Sequence, residues 1–112
     1  MIASGHLFAP VAARAAGEAF EDLLSLPGVR IERIVSTGQA TPAGQWLEQA
    51  WTEWVALLSG AAGLRFEGEA RTRVLGPGDW VNIPPGVRHR VEWTLAGSPS
   101  VWLAIHAGEP PR

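Results

Sequence analysis

The chain has 112 residues, of which 46% are hydrophobic and 18% charged, and its formal charge is −2 at neutral pH. This composition is typical of one soluble globular domain over residues 1–112, and nothing in it favours nucleic acid as a partner. The absence of cysteine excludes disulfides, thiolate nucleophiles and cysteine zinc sites. No apolar run approaches the roughly 20 residues that span a bilayer, so no membrane partner is expected.

The first predicted element is a short helix over residues 13–26, within an N-terminal helical extension of about residues 1–28. Phe20, Leu23 and Leu24 fall at i, i+3 and i+4, and the Pro27-Gly28 pair ends the pattern. The stretch "VAARAA" faintly resembles a signal cleavage site, but no basic segment or uninterrupted apolar core precedes it. A cytoplasmic location is therefore expected.

After Gly28 the pattern changes to short apolar segments separated by glycine and proline turns. The segments are "VRIERIVS", "QWLEQ", "EWVALLSG", "LRFEG", "ARTRVLGPGD", "WVNIP", "HRVEWT" and "VWLAIH". Parallel strands would need crossover helices, for which the spacing leaves no room. The sequence therefore predicts an all-β antiparallel sandwich or barrel over about residues 29–107.

The stretch "GDWVNIPPGVRH" combines an apolar strand with turn residues at both of its ends. Proline fixes φ and glycine permits positive φ, so residues 84–86 predict a tight reversal that leads into the next strand. In that strand a period of two places His89, Val91 and Trp93 on one face. We expect this face to be the inward one.

A second informative stretch is "QWLEQAWTEWVALLSG", in which Glu53 precedes an apolar run predicted to be buried on both faces. A carboxylate at the end of such a strand is costly unless it has a partner. The candidate partners are His89, an arginine and a metal ion.

"GDWVNIPPGVRH" resembles the second conserved motif of the cupins, a glycine followed by five residues, P-x-G, two residues and histidine. Gly78, Pro84, Gly86 and His89 all match this motif. The resemblance covers about residues 30–107. The chain also looks like a subgroup of small single-domain bacterial cupins of the cupin 2 type, most of which lack an assigned activity. It implies a jelly-roll barrel with a site inside it, and a homodimer.

The first cupin motif carries a glutamate followed six residues later by glycine, and Glu53 with Gly60 reproduces this spacing. The histidine pair H-x-H that precedes the glutamate in the family is replaced here. Those places hold Leu47 and Gln49, or on the alternative spacing Trp46 and Glu48. Two of the family's four metal ligands are thus missing.

The resemblance implies a divalent metal ion, Fe, Mn, Ni or Zn, held by Gln49, Glu53 and His89, with Glu48 as a substitute ligand. Glu53 would also be the catalytic residue that moves a proton on a small organic molecule. In a straight strand Gln49 and Glu53 would lie about 13 Å apart, so a bend near residues 50–52 is required. The alternative is a metal-free binding or sensing protein in which His89 and Glu53 form a hydrogen-bonded pair.

The tryptophans and one further histidine complete the candidates. Trp46, Trp51 and Glu48 are predicted to line the ligand pocket. Trp54, Trp80 and Trp102 are interpreted as core packing or a dimer interface. A hairpin about Gly97 would place His106 on the side opposite His89, together with Arg88.

Overall fold

The computed structural model describes residues 1–10 and 17–110, and these residues form eight β-strands in two antiparallel sheets. The strands are β1 (Ala19–Leu26), β2 (Val29–Ser36), β3 (Thr52–Ser59), β4 (Ala62–Phe66), β5 (Arg73–Leu75), β6 (Trp80–Ile83), β7 (His89–Thr94) and β8 (Ser100–Ala107). The larger sheet has the order β1-β2-β8-β3-β6 and the smaller has the order β5-β4-β7. The predicted all-β class is confirmed. Within the two described ranges, no helix has the length and apolar character needed to cross a membrane.

The N-terminal helix prediction is wrong where the structure describes it, because residues 19–26 form strand β1. This strand turns through Pro27-Gly28 and pairs with β2, so that Leu26 lies opposite Val29 and Ala19 opposite Val35. The backbone groups of β1 that face β2 gain partners in the hairpin, which outweighs a short helical spacing of apolar side chains. The predicted helical residues 13–16 lie outside the described residues.

The segment "QWLEQ", predicted as a strand, belongs to neither sheet. It makes one isolated bridge, in which the Leu47 N–H donates to the His89 carbonyl at 2.7 Å and the His89 N–H donates back at 3.0 Å. The segment from residue 45 to residue 49 is therefore tied to the first residue of β7. This link positions the predicted ligand segment beside His89.

The core lies between the two sheets and is built by alternation along the strands. In the larger sheet Val55 is opposite Val81 on one side and Ala104 on the other, so the three side chains share the inner face. The buried hydrophobic cluster comprises Val55, Leu57, Ala62, Leu64, Phe66, Leu75, Val81, Ile83, Trp102 and Ala104. The candidate site lies at one end of this inner face, beside Glu53 near the start of β3.

Gly60 connects β3 to β4 at a point where the chain passes very close to β8. Its φ is +86°, and a Cβ atom built there would lie 2.2 Å from Ser100 Oγ and 2.7 Å from Ser100 Cα. Both the positive φ and the lack of space require glycine. The glycine of the first sequence motif is therefore explained by packing between the strands.

Trp93 does not point inward as predicted. The pairing of β4 with β7 places Gly63 opposite Trp93 and Leu64 opposite Val91, so β7 contains a bulge at Glu92. One extra residue reverses the alternation beyond it. Trp93 therefore lies on the outer face, where it is 36% exposed.

Candidate ligand and metal site

A tight turn delivers His89 to the interior. The Val87 N–H donates to the Pro84 carbonyl at 3.4 Å, and Gly86 between them has a φ of +76°. Proline followed by glycine in the two central positions is the arrangement that a type II turn requires. The Gly86 N–H also donates to the Gln49 carbonyl at 2.8 Å, which fixes the turn against the 45–49 segment.

His89 and Glu53 face each other across the interior. The distance from His89 Nε2 to Glu53 Oε1 is 3.9 Å, and the two side chains are 4% and 15% exposed. His89 Nδ1 lies 3.0 Å from the Val87 carbonyl oxygen, which can only accept a hydrogen bond. In the neutral ring the proton therefore sits on Nδ1, and Nε2 presents its lone pair to the carboxylate.

Gln49 joins this pair because the chain bends at residues 50 and 51 before β3 begins. Its side-chain amide donates to Glu53 Oε1 at 3.2 Å. The structure thus brings together Gln49, Glu53 and His89, the three residues that the sequence analysis names as metal ligands. The bend removes the separation that a straight strand would have imposed.

Burial raises the pKa of the Glu53 carboxyl above its ordinary value, although the nearby His106 and His89 rings act in the opposite direction. Glu53 Oε1 and His89 Nε2 are both acceptors, and 3.9 Å is too long for a hydrogen bond. The two acceptor atoms therefore repel each other, and a proton or a metal ion between them would be attracted to both.

His106 faces the interior, and the expectation that it lies on the opposite side is wrong. That expectation assumed a β7-β8 hairpin, whereas β8 lies in the other sheet and places His106 opposite Glu53. The Trp51 indole N–H donates to His106 Nδ1 at 2.9 Å. An indole can only donate, so the His106 proton sits on Nε2 and points to Glu32 Oε1 at 3.2 Å. Both nitrogens of this ring are therefore occupied.

Glu32 and Arg30 continue this polar network along the inner face of β2. Arg30 Nη1 lies 2.9 Å from Glu32 Oε2, and Arg30 Nε lies 2.7 Å from Glu109 Oε2. The sequence analysis missed this network. The period of two in "VRIERIVS" was the available signal, because it places Arg30 and Glu32 on the same face as Ile34.

A cavity of about 350 Å³ opens beside Glu53 and His89 between the two sheets. Its apolar wall residues are Phe20, Ile34, Ala40, Pro42, Leu47, Val55, Leu64, Ile83, Val91 and Trp102. Its polar wall residues are Glu18, Thr41, Gln45, Glu53 and His89. The cavity has the size of a small-molecule site, with a few polar groups in a largely apolar wall.

The predicted pocket residues Trp46, Glu48 and Trp51 are not on this wall. The Trp46 ring lies against the Arg88 and Arg90 guanidinium groups, 5.9 and 6.0 Å from its centroid. Glu48 is half exposed and lies 3.8 Å from Arg88. The neighbours Gln45 and Leu47 line the cavity instead, because alternate residues of the 45–49 segment point in opposite directions.

In residues 1–10 and 17–110, no group of three or more histidine, cysteine, aspartate or glutamate side chains is arranged to hold a metal ion. A site at Glu53 and His89 would therefore need an amide oxygen as its third protein ligand. Gln49 would supply it by turning its side-chain amide, because here the amide nitrogen faces Glu53 Oε1.

The two facing antiparallel sheets, with a polar site between their inner faces, define a jelly-roll barrel protein. The family model for the cupin domain matches residues 34–106, so this chain belongs to the cupin-domain family. The predicted fold and family are thereby confirmed. No curated protein matches the chain.

Among solved structures, the chain is 48% identical to a Ralstonia eutropha JMP134 protein called a "putative mannose-6-phosphate isomerase". That match covers 95% of this chain and 98% of that one, with a TM-score of 0.90. A cupin superfamily protein from Desulfitobacterium hafniense DCB-2 is 18% identical over 88% of this chain and 84% of its own, with a TM-score of 0.70. The polyketide cyclase RemF from Streptomyces resistomycificus is 22% identical over 85% and 68% of the two chains, with a TM-score of 0.69. The last two matches show the fold alone.

Proposed function

We propose that this protein binds a small organic molecule in the cavity and holds a divalent metal ion at its polar end through Gln49, Glu53 and His89. The observation that carries the proposal is the opposition of two acceptors, His89 Nε2 and Glu53 Oε1, at 3.9 Å in a nearly buried position. Such an arrangement is costly unless a proton or a metal ion lies between the two atoms.

The donor chemistry fits a metal ion. One imidazole nitrogen, one carboxylate oxygen and one amide oxygen form a mixed set suited to Fe, Mn, Ni or Zn. The hydrogen bond from His89 Nδ1 to the Val87 carbonyl holds the ring with Nε2 free, as an outer-shell partner does in metal sites. A bound ion would act there as a Lewis acid toward a ligand in the cavity. Of the three ligands only His89 and Glu53 bind divalent metals strongly, so we expect a modest affinity for the metal ion.

The protein's own residues can also move a proton. Glu53 lies on the cavity wall, and burial raises the pKa of its carboxyl toward the range in which a carboxyl serves as a general acid or base. The isomerase name of the 48% identical Ralstonia protein supports such a role, because isomerisation commonly relies on proton transfer. We therefore assign Glu53 as the catalytic residue of the proposed enzyme.

A second candidate function is a metal-free binding protein. The raised pKa of Glu53 favours it, because a neutral carboxyl can donate its proton to His89 Nε2 and satisfy the pair without an ion. In that case the pair would orient a ligand by hydrogen bonds and would not activate it.

Elemental analysis separates the two candidates. Protein purified without an affinity tag or chelator is compared with two variants, His89→Ala and His6→Ala. His6 is an exposed histidine in the N-terminal segment, distant in sequence from Glu53 and His89. After dialysis against a buffer that contains one of the four ions, the metal proposal predicts near-stoichiometric metal in the wild type and His6→Ala and a loss in His89→Ala. Metal-free wild type that also takes up none of the four ions would support the binding protein.

We further propose a homodimer through the outer face of β3, β6 and β8. Trp54 and Trp80 stack there with ring centroids 5.9 Å apart, and Trp80 is 61% exposed. The outward residues of these three strands carry no charge; they include Thr52, Trp54, Ala56, Trp80, Asn82, Val101, Leu103, Ile105 and Ala107. A two-fold axis places such a face against itself, which an uncharged apolar surface tolerates and a surface of like charges does not.

A further inference from the structure

The charges around the cavity carry an inference about the ligand. We infer that the cavity selects an uncharged or cationic organic molecule that donates hydrogen bonds, and that it rejects anions such as sugar phosphates. The inference rests on the proposed ligand-binding function and names the class of ligand for that site.

The first support is the absence of positive charge on the wall. Among the residues that the structure describes, the cavity is lined by no lysine or arginine, whereas two carboxylates, Glu18 and Glu53, lie on it. Phosphate and carboxylate ligands are normally met by arginine, lysine or a set of backbone N–H groups. A single divalent ion at Glu53 would only balance the two formal negative charges.

The second support is that three of the five polar wall residues, Glu18, Glu53 and His89, carry hydrogen-bond acceptors. Glu18 accepts a hydrogen bond from the Ser36 hydroxyl, and Ser36 in turn accepts from the Trp102 indole at 3.1 Å. Beside Glu53, His89 Nε2 presents a lone pair, because the His89 Nδ1 proton is donated to the Val87 carbonyl. A ligand that supplies O–H or N–H groups matches these atoms, and an anion does not.

The third support concerns Arg90, which lies beside the loop of residues 41–45 on the cavity wall. Its guanidinium group already has hydrogen-bond partners in that loop. Its guanidinium donates to the carbonyls of Thr41, Pro42 and Gln45 at 3.0, 3.2 and 2.9 Å. Arg90 therefore holds in place the loop that forms one wall of the cavity. Turning this group toward a ligand would break all three bonds.

The test uses two fluorescent probes that differ in one group. N-phenyl-1-naphthylamine is neutral with one N–H donor, and 1-anilinonaphthalene-8-sulfonate is the same molecule with an added sulfonate. Both are titrated into the wild-type protein as purified, into Ala40→Trp, which fills the cavity mouth, and into Ala70→Trp. Ala40 lines the cavity, whereas Ala70 is an exposed alanine of another loop. Mannose 6-phosphate is titrated by calorimetry alongside them.

The inference predicts that the neutral probe binds at least tenfold more tightly than the sulfonate, that Ala40→Trp abolishes its binding, and that Ala70→Trp does not. It also predicts no heat of binding with mannose 6-phosphate. Sulfonate or mannose 6-phosphate binding that Ala40→Trp abolishes, with an affinity equal to that of the neutral probe or higher, would overturn the charge selectivity and leave the cavity as a binding site. Failure of the neutral probe to bind in an Ala40-dependent way would instead contradict the proposed ligand-binding function, and the inference with it.

Discussion

His89 Nε2 and Glu53 Oε1 face each other at 3.9 Å as two hydrogen-bond acceptors in an almost buried position. His89 is fixed in this orientation by its own backbone neighbour, since Nδ1 lies 3.0 Å from the Val87 carbonyl oxygen. Gln49 donates a hydrogen bond to the same Glu53 oxygen that faces His89. The proposed function follows from this opposition of two acceptors, which a proton or a metal ion between them would relieve.

Replacing Gln49 tests whether its side chain points at the ion. Gln49→His offers an imidazole in place of a neutral amide, so metal affinity should rise by about tenfold or more, equivalent to about 1.4 kcal/mol. Isothermal titration with Zn²⁺ or Ni²⁺ measures the change. Glu48→His is the matched control, because Glu48 is exposed and directed toward Arg88. Equal affinities in the wild type and Gln49→His would place Gln49 outside the metal site.

Because the Glu53 carboxyl is buried, it should make the folding stability depend on pH. Burial raises the pKa of Glu53 in the folded chain, so ionising the carboxyl costs folding free energy. This cost is absent below the unfolded pKa of glutamate, about 4.3, and grows as the pH rises through the folded pKa. Glu53→Gln removes the cost, so its stability relative to the wild type should increase from pH 4 to pH 8 in urea unfolding with EDTA present.

The exposed Glu67, which pairs with Arg88, provides the control for this measurement. The difference between Glu67→Gln and the wild type should not grow with pH in the same direction. A Glu53→Gln variant that loses stability relative to the wild type as the pH rises would show that the folded protein favours the ionised carboxylate.

The contact between Gly60 and Ser100 predicts a large cost for a single methyl group. Gly60→Ala combines a strained positive φ with a Cβ only 2.2 Å from Ser100 Oγ, so we expect a loss of about 3 kcal/mol. Gly68→Ala has a φ of +91° with nothing within 4 Å, and strain alone should cost about 1 kcal/mol. Thermal unfolding compares the two. Equal losses would mean that the neighbouring strand yields easily.

A substitution that introduces one negative charge tests the proposed dimer face. Trp80→Glu places a carboxylate in the stacked pair with Trp54 and should convert a dimer to a monomer in light scattering coupled to gel filtration. Val74→Glu is the control, because Val74 is 67% exposed on β5 of the smaller sheet. A dimer that survives Trp80→Glu would rule out this face.

Much of the fold could be predicted from local pattern. β2 and β7 begin and end at the predicted residues, since turn residues delimit each of them and their alternation is clear. β1 was mistaken for a helix because Phe20, Leu23 and Leu24 have helical spacing, although all three are exposed in the structure. Local spacing does not reveal that the preceding chain will pair with β2.

The candidate site, like the fold, could be predicted only in part from the sequence. Gln49, Glu53 and His89 could be named because motif spacing fixes their positions along the chain. His106 could not be placed, because its orientation depends on which strands pair with β8, and sequence neighbours suggested β7 when the partners are β2 and β3. Long-range pairing also decides which side of the 45–49 segment faces the cavity.

The most direct measurement is the tautomer of His89, read from its ring ¹⁵N resonances with His89→Gln for assignment. The proton of the neutral ring is predicted to lie on Nδ1, and the Nε2 resonance is predicted to move when Zn²⁺ is added. His106 should show the opposite tautomer and little response, because Trp51 and Glu32 occupy both of its nitrogens. A neutral His89 ring with its proton on Nε2, or an Nε2 resonance that does not move when metal is added, would contradict the central claim.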